Sequence, residues 1–458
     1  MTLRRFGICL VAALAAIGLV TQSTATLKAQ GTFQPAGVEV DADGVLRTRV
    51  VADPTGDLTR TRMAEARRAI EADVMRSSSL RKVSLTRLEQ AVRDRVAAGE
   101  SASDAMLHLA GLTEIRYVFF YPETRDIVIA GPAEGFFKDL TGRTVGIETG
   151  KATLLLEDLV VALRAFAPGE RGTSVIGCSI DPTQDGLKRM QQFVNSIGNV
   201  GPGDEIRIAA GLKDNLGLQT VSLDGVPAGS HFAQVLVEAD YRMKLIGIGL
   251  EVPAADIPSY VSKARPAEVN ANGLARWYFT PQYDCVRVSE DRNAMELVGS
   301  RVQLIGENER VTAEGVRVAE GREGNQASRA FTTAFTKQYD TLAQRSPVFA
   351  QLRSCMDLSI AAAYIQQQDF YGLAGWEMDF FGDESAFSVE SYESPKQVET
   401  AVNAIWRGSR LMTPVGGGVT IEPRRAIDPA RVQIDGQLSG VHQSTGSVEL
   451  AEGQWWWD

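Results

Sequence analysis

The sequence predicts an α+β protein, with a central α/β sheet-and-helix domain and a β-rich, partly helical C-terminal region. Three observations predict it. From Gly111 to about residue 255, short apolar strands alternate with amphipathic helices, the pattern of a sheet with helices packed against it. Beyond a proline-bearing stretch, Pro253 to Pro266, strand-like runs follow one another closely. Two long helical runs then lead into an acidic, aromatic, glycine-rich tail that starts near Gly372.

The elements follow in order. VEVDADGVLRTRVV has two alternating runs around a DADG turn, a hairpin signal within 31–58. Two amphipathic helices are expected next. In the second, Leu85, Leu88, Val92 and Val96 share a face, Thr86 and Glu89 have capping-box spacing, and Gly99 is the stop. Ser101 or Ser103 caps a short helix before Gly111. Ile115–Tyr121 and Asp126–Ala130 read as a hairpin closed by PETR, and Leu154–Phe166 as a helix ended by Pro168 and Gly169. Ser174–Ile180 is a short buried strand. Asp181-Pro182-Thr183 opens a helix with Leu187, Met190, Val194 and Ile197 on one face. Strands are expected at Glu205–Ala210 and Leu218–Leu223, then an Asp224-Gly225 turn and a helix capped by Ser230. Pro253 to Pro266 is the linker candidate. ARWYFTP, CVRVS, AMELV and RVQLI are strands, Gly324-Asn325 starts a helix to about Arg345, and Ser346-Pro347 starts another. The tail reads as β with long loops and ends in Trp455-Trp456-Trp457.

Residues 1–30 have the makings of a secretory signal peptide. Arg4 and Arg5 form a basic n-region, Phe6 to Val20 an apolar h-region, and Ala25 or Ala29 ends a small-residue cleavage site. The expected organisation is therefore 1–30 leader, 31–110 hairpin and helices, 111–255 α/β, 266–371 mixed β then helical, and 372–458 tail. Export to the periplasm, cell surface or medium follows from the leader. Losing Arg4 and Arg5 takes the formal charge from -10 to -12. So acidic a chain repels phosphate backbones, which argues against nucleic-acid binding. No later run reaches transmembrane length. Three cysteines remain after cleavage, Cys178, Cys285 and Cys355, leaving either one bridge and a free thiol or three buried thiols. The isolated His108, His231 and His442 make a Cys/His zinc site improbable, and neither metal nor cofactor is expected.

Several motifs carry two readings. GIETGKAT (Gly146–Thr153) imitates a phosphate loop, but Val145 stands where the first glycine belongs and Ala152 follows Lys151, which favours an ordinary loop. Glu39, Asp41, Asp43 and Gly44 imitate a calcium loop whose twelfth position is Val50, so a hairpin turn fits better. Ser79-Leu80-Arg81-Lys82 matches SxxK without its KTG partner. In the helix from His231, Phe232, Val235, Leu236, Ala239, Met243 and Ile246 line one face, with Val237 and Tyr241 opposite, so the helix is covered on two sides. Asp240 with Lys244, and Glu238 with Arg242, are spaced i,i+4. These are intrahelical ion pairs or, with His231, the wall of a ligand cleft. Asp181 is an N-cap or a group at the carboxyl end of a strand, where α/β sheets bind ligands. Glu134, on a glycine-flanked loop, is functional or part of a turn. The candidates for catalysis are thus Asp181, Asp240 and Glu134, and for binding His231, Arg242 and Lys244. The tryptophan tail docks on its own domain, stacks on a sugar, or sits at a membrane interface.

YVFFYPETRDIVIAGPAEG, IGCSIDPT and SHFAQVLVEADYRMKLIGIGLE resemble exported planctomycete-type proteins carrying the domain of unknown function 1598. The similarity extends from about Gly111 through RWYFTPQYDCVRVSED to SPVFAQLRSCMDL. It implies no activity and transfers no catalytic residue, but agrees with export. The function expected is a periplasmic or surface binding or scaffold protein, with envelope proteins or polymers as partners. The alternative is a hydrolase acting on envelope polymers through the three carboxylates.

Overall fold

The hairpin at the start forms because Asp41 closes its turn, its carboxylate accepting from the amides of Asp43 and Val45 at 3.0 and 2.9 Å. The strands are β1 (Ala36–Val40) and β2 (Val45–Val50), antiparallel. The computed structural model describes residues 36–198, 204–265, 273–312, 317–321, 325–403, 405–407, 410–412, 416–446 and 450–458. The expected leader, 1–30, lies outside them.

Helices α1 (Asp57–Ala69) and α2 (Ala72–Met75) follow, then a strand the sequence did not announce, β3 (Ser78–Ser84), which contains the SxxK tetrapeptide. The helix α3 (Leu85–Ala97) is capped by Ser84, whose hydroxyl accepts from the amide of Arg87, and not by Thr86. Glu89 does not close a capping box either. Its carboxylate turns inward to accept from the indole of Trp376 and the amides of Phe380 and Phe381. Ser103 caps α4 (Asp104–Leu107). The expected hairpin appears as β4 (Tyr117–Tyr121) and β5 (Asp126–Ala133), and a smaller one as β6 (Phe136–Lys138) and β7 (Thr144–Gly146).

After α5 (Leu156–Ala165) and β8 (Ile176–Pro182), Thr183 and not Asp181 caps α6 (Gln184–Ser196). The run at Glu205–Ala210, expected as a strand, is the start of helix α7 (Glu205–Leu216). Its EIRIAA alternation imitates period two, but Ile208, Leu212 and Leu216 continue at intervals of four and pack against Leu187 and Met190 of α6. Next come β9 (Gln219–Asp224), α8 (His231–Gly247) and α9 (Tyr260–Lys263). The last lies within the expected linker, which is packed: Ile257, Tyr260 and Val261 are buried, Tyr260 against Trp277.

The later strands are β10 (Gly273–Pro281), β11 (Val286–Val288), β12 (Ala294–Leu297), β13 (Val302–Val311) and β14 (Arg317–Gly321). The expected helix to Arg345 breaks at Gln338 into α10 (Gln326–Lys337) and α11 (Tyr339–Arg345). Proline opens α12 (Pro347–Gln367), and α13 (Phe370–Ala374) follows. In the tail, the β elements are β15 (Gln397–Val398), β16 (Ile405–Arg407), β17 (Arg410–Met412), β18 (Gly416–Ile421), β19 (Gln433–Ile434) and β20 (Trp456–Trp457). Two helices, α14 (Pro423–Ala426) and α15 (Gly436–Gly446), interrupt them.

The α+β class is borne out, as two large mixed sheets with helices against them. One runs β1-β2-β15-β9-β8-β18-β10-β13-β14 and the other β19-β11-β12-β4-β5-β3-β20. Each takes strands from distant parts of the chain, and Pro35–Asp458 is a single unit. Helix α8 lies across β8 and β18 and is covered on its other side by α5 and α12, which explains its burial all round. No helix among the described residues is long and apolar enough to cross a membrane. The tryptophan tail docks on its own domain: β20 pairs antiparallel with β3, and Trp455 and Trp457 are buried. Arg81, fully buried, donates to Asp458 at 2.8 and 3.0 Å and to the carbonyls of Val74, Ala110, Asp73 and Arg76, while stacking on Trp456.

Candidate functional site

A cleft of about 1090 Å³ opens where the first turns of α5 and α8 meet β1, the β6–β7 hairpin, Gln351 of α12 and the segment 386–393. The first turn of α5 contributes the adjacent acids Glu157 and Asp158. They tend to lie there because free amides at a helix N-terminus favour negative charge. Ser230 caps α8 and so fixes the direction of His231 beside them. The segment 386–393 is tied down by the Tyr392 amide donating to the Gly229 carbonyl at 2.7 Å and by Gln234 donating to the Glu393 carbonyl.

A continuous polar chain runs along one wall. His231 Nδ1 meets both oxygens of Asp158, at 3.1 and 2.9 Å, and its Nε2 faces the Gln351 amide nitrogen at 3.3 Å. Gln351 Oε1 accepts from Arg143 at 2.9 Å, Arg143 in turn donates to Glu238, and Arg242 lies 3.7 Å from Glu238 while donating to Glu251. The two neighbours of His231 pull in opposite directions. Burial works against its charge, but the Asp158 carboxylate outweighs that and raises its pKa above the ordinary 6.5. The Gln351 amide, by contrast, matches a neutral ring with its proton on Nδ1. His108 is the opposite case, lowered to about 4 by burial and therefore neutral near pH 7.

Glu157 is the least satisfied member. Its Oε1 accepts from the Tyr392 hydroxyl at 3.0 Å, whereas its shielded Oε2 accepts no hydrogen bond. Burial pushes its carboxyl up to about 7, helped by Asp158 and Glu390 and opposed by His231 and Tyr392. Glu238 is only 2% exposed, and its Oε1 likewise receives no hydrogen bond.

Of the six residues singled out from the sequence, only His231 lines this cleft. Glu134, 3% exposed, accepts from the amides of Glu148 and Thr149 at 2.6 and 3.1 Å and from the Thr149 hydroxyl. The GIETGKAT loop therefore does hold an anion, and the anion is the chain's own. A Cβ on Gly146 would lie 2.1 Å from Glu134 Oε1, so this glycine makes room for the carboxylate. Asp181 pairs with Arg276 at 3.2 Å. Asp240, wholly buried, lies 3.0 Å from Lys244 Nζ, which also donates to the Ile180 carbonyl at 3.0 Å. Burial raises the Asp240 carboxyl to about 6 against the pull of Lys244. A Cβ on Gly417 would approach both Asp240 Oδ1 and Lys244 Cε at 2.7 Å, so glycine in β18 admits this pair. Asp181 and Asp240 thus belong to a buried charge cluster between α8 and the sheet, away from Glu134. Arg242 is committed to Glu251. The three thiols are free and buried, and burial raises the pKa of each.

Glu157, Asp158, Arg143, Gln351 and Tyr392 went unseen in the sequence. The adjacent acids opening an apolar helix were the available signal; the others come together only through the fold.

Residues 178–260 match a family described as a protein of unknown function, DUF1598. No curated protein and no solved structure matches the chain. The DUF1598 stretch is narrower than the resemblance drawn from the sequence and spans β8 to α9. It supplies His231 and Glu238 to the cleft and holds Asp240, Lys244 and Arg242 of the buried charge system. Glu157, Arg143, Gln351 and Tyr392 come from outside DUF1598.

Proposed function

We propose that the chain is an exported, non-catalytic binding protein of the periplasm or cell surface, with the cleft between α5, α8 and the 386–393 segment as its ligand seat. The observation that carries the reading is a cleft of about 1090 Å³ whose wall holds charged side chains locked to one another, with Glu157 and Glu390 sharing the single Tyr392 hydroxyl. Locked polar groups on helices suit recognition, because a preorganised site loses little entropy on binding. Volumes of this order hold small ligands. The hydrolytic alternative has less support: Glu134 spends its acceptors on its own loop, and Asp240 is sealed between its helix α8 and the sheet.

Two measurements test this. Expressed with its leader in a diderm bacterium, the chain should be recovered outside the cytoplasm with its N-terminus at Thr26 or Gln30; full-length protein in the cytosol would sink the export reading. Ser388, exposed on the cleft margin, permits a blocking variant. A small-molecule thermal-shift screen should find ligands whose stabilisation disappears in Ser388→Trp. Ligands that stabilise both proteins equally would place binding elsewhere.

A further inference from the structure

We propose that the cleft takes a small organic cation, an ammonium group on an apolar or aromatic body, with its charged end beside Glu157, Glu390 and Tyr392. This rests on the binding reading above and names its ligand class.

The charges facing the cleft are unequal. Glu39, Asp104, Glu157, Glu238, Glu390 and Glu393 line it, against Lys138 and Arg143. Those two cations do not answer the acids around Tyr392. Arg143 is engaged with Glu238 and Gln351. Lys138 lies near His108 and helps to lower its pKa. His231 faces Glu157 but gives its Nδ1 to Asp158.

Glu157 and Glu390 therefore converge on one tyrosine hydroxyl, whose single proton goes to Glu157 Oε1. One hydroxyl proton cannot serve two carboxylates, so an acceptor at this point is left for a donor from outside the protein. An anion or a neutral acceptor cannot supply that donor. An ammonium supplies both the donor and the counter-charge, and forms the stronger, charge-assisted bond.

A metal ion suits the position less well. Among the described residues, no three His, Cys, Asp or Glu side chains are grouped to ligate one. The surroundings suit an organic cation: the aromatic Tyr392 and Phe387 and the apolar Val38, Leu156, Val235 and Val389 all line the cleft.

The test uses the mature chain and calorimetric titration with phenethylamine and n-hexylamine, their neutral counterparts 2-phenylethanol and 1-hexanol, and phenylacetate. The amines should bind at least about tenfold more tightly than the alcohols, equivalent to about 1.4 kcal/mol, and phenylacetate should not bind. Glu157→Gln and, independently, the exposed Glu390→Gln should each weaken amine binding severalfold or more at pH 8, where both variants still melt cooperatively close to the parent's temperature. Ser388→Trp should abolish binding of amines and alcohols alike. Alcohols binding as tightly as amines, with both lost in Ser388→Trp, would overturn the cation and leave the ligand seat standing. Unchanged amine affinity in both glutamine variants would do the same. If no probe binds, or binding survives Ser388→Trp, the cation proposal falls and the seat loses its support with it.

Discussion

Glu134 and Glu157 are the same side chain in two opposite states. Glu134 receives the amides of Glu148 and Thr149 and the Thr149 hydroxyl, while Glu157 receives one tyrosine hydroxyl and keeps an oxygen empty. A carboxylate with its acceptors filled by the protein is part of the structure. One that lines a cleft and is left short can take a partner. The difference separates a loop that resembles a ligand site in sequence from a cleft that does not.

The largest effect should come from another filled site. Replacing Arg81 by alanine removes the guanidinium that holds Asp458 and the carbonyls of Val74, Ala110, Asp73 and Arg76, at a cost of about 3–5 kcal/mol in urea unfolding. A loss below about 1 kcal/mol would show that satisfied buried polar groups are not what hold this fold. Glu134→Ala, which leaves the Glu148 and Thr149 amides without their acceptor, should cost about 2–3 kcal/mol. Glu157→Gln should stay within about 1 kcal/mol of the parent near pH 8, and a loss as large as that of Glu134→Ala would erase the distinction.

The pH dependence sharpens the same contrast. The Glu157 carboxyl is raised from 4.5 to about 7, so folding favours its protonated form. That stabilising share is complete below about pH 4.5 and fades as pH rises through about 7. His231, raised above 6.5, acts with the same sign: its share is complete below 6.5 and is lost as pH passes its folded value. Melting temperature should therefore decline less steeply between about pH 5 and pH 8 in Glu157→Gln than in the parent. Equal slopes would remove Glu157 from the account. The smallest effect concerns the thiols: in a chain starting at Thr26, Cys178, Cys285 and Cys355 should all titrate when it is unreduced and denatured and stay silent when it is native. Fewer than three titratable thiols would reveal a bridge absent from the structure.

What could be read in the sequence was local. The first hairpin was legible because DADG closes it, the β4–β5 hairpin because PETR separates two apolar runs, and α8 because a serine cap precedes an apolar face. Strand β3 was hidden because its interior carries Arg81 and Lys82, and Arg81 is accommodated inside by the distant Asp458 and by the carbonyls of Val74, Ala110, Asp73 and Arg76. The Glu205–Ala210 segment misled because six residues cannot distinguish period two from one and a half helical turns. The i,i+4 pairs on α8 were legible as pairs, and Asp240–Lys244 is one. The cleft was not legible. His231 meets Asp158 across 73 residues and Gln351 across 120, and Tyr392 meets Glu157 across 235. No spacing rule reaches so far.

The order of the sheets also sets a schedule. Strand β18 lies between β8 and β10, β15 between β2 and β9, and β20 along β3. Until residues 397–421 have emerged, β8 and β10 present unpaired edges, and such edges invite pairing with the wrong chain. Pairings so distant in sequence also form slowly. A chain built this way stays unfinished until nearly all of it is available. If the chain is exported as proposed, that delay is an advantage: it would arrive unfolded and complete both sheets on the far side.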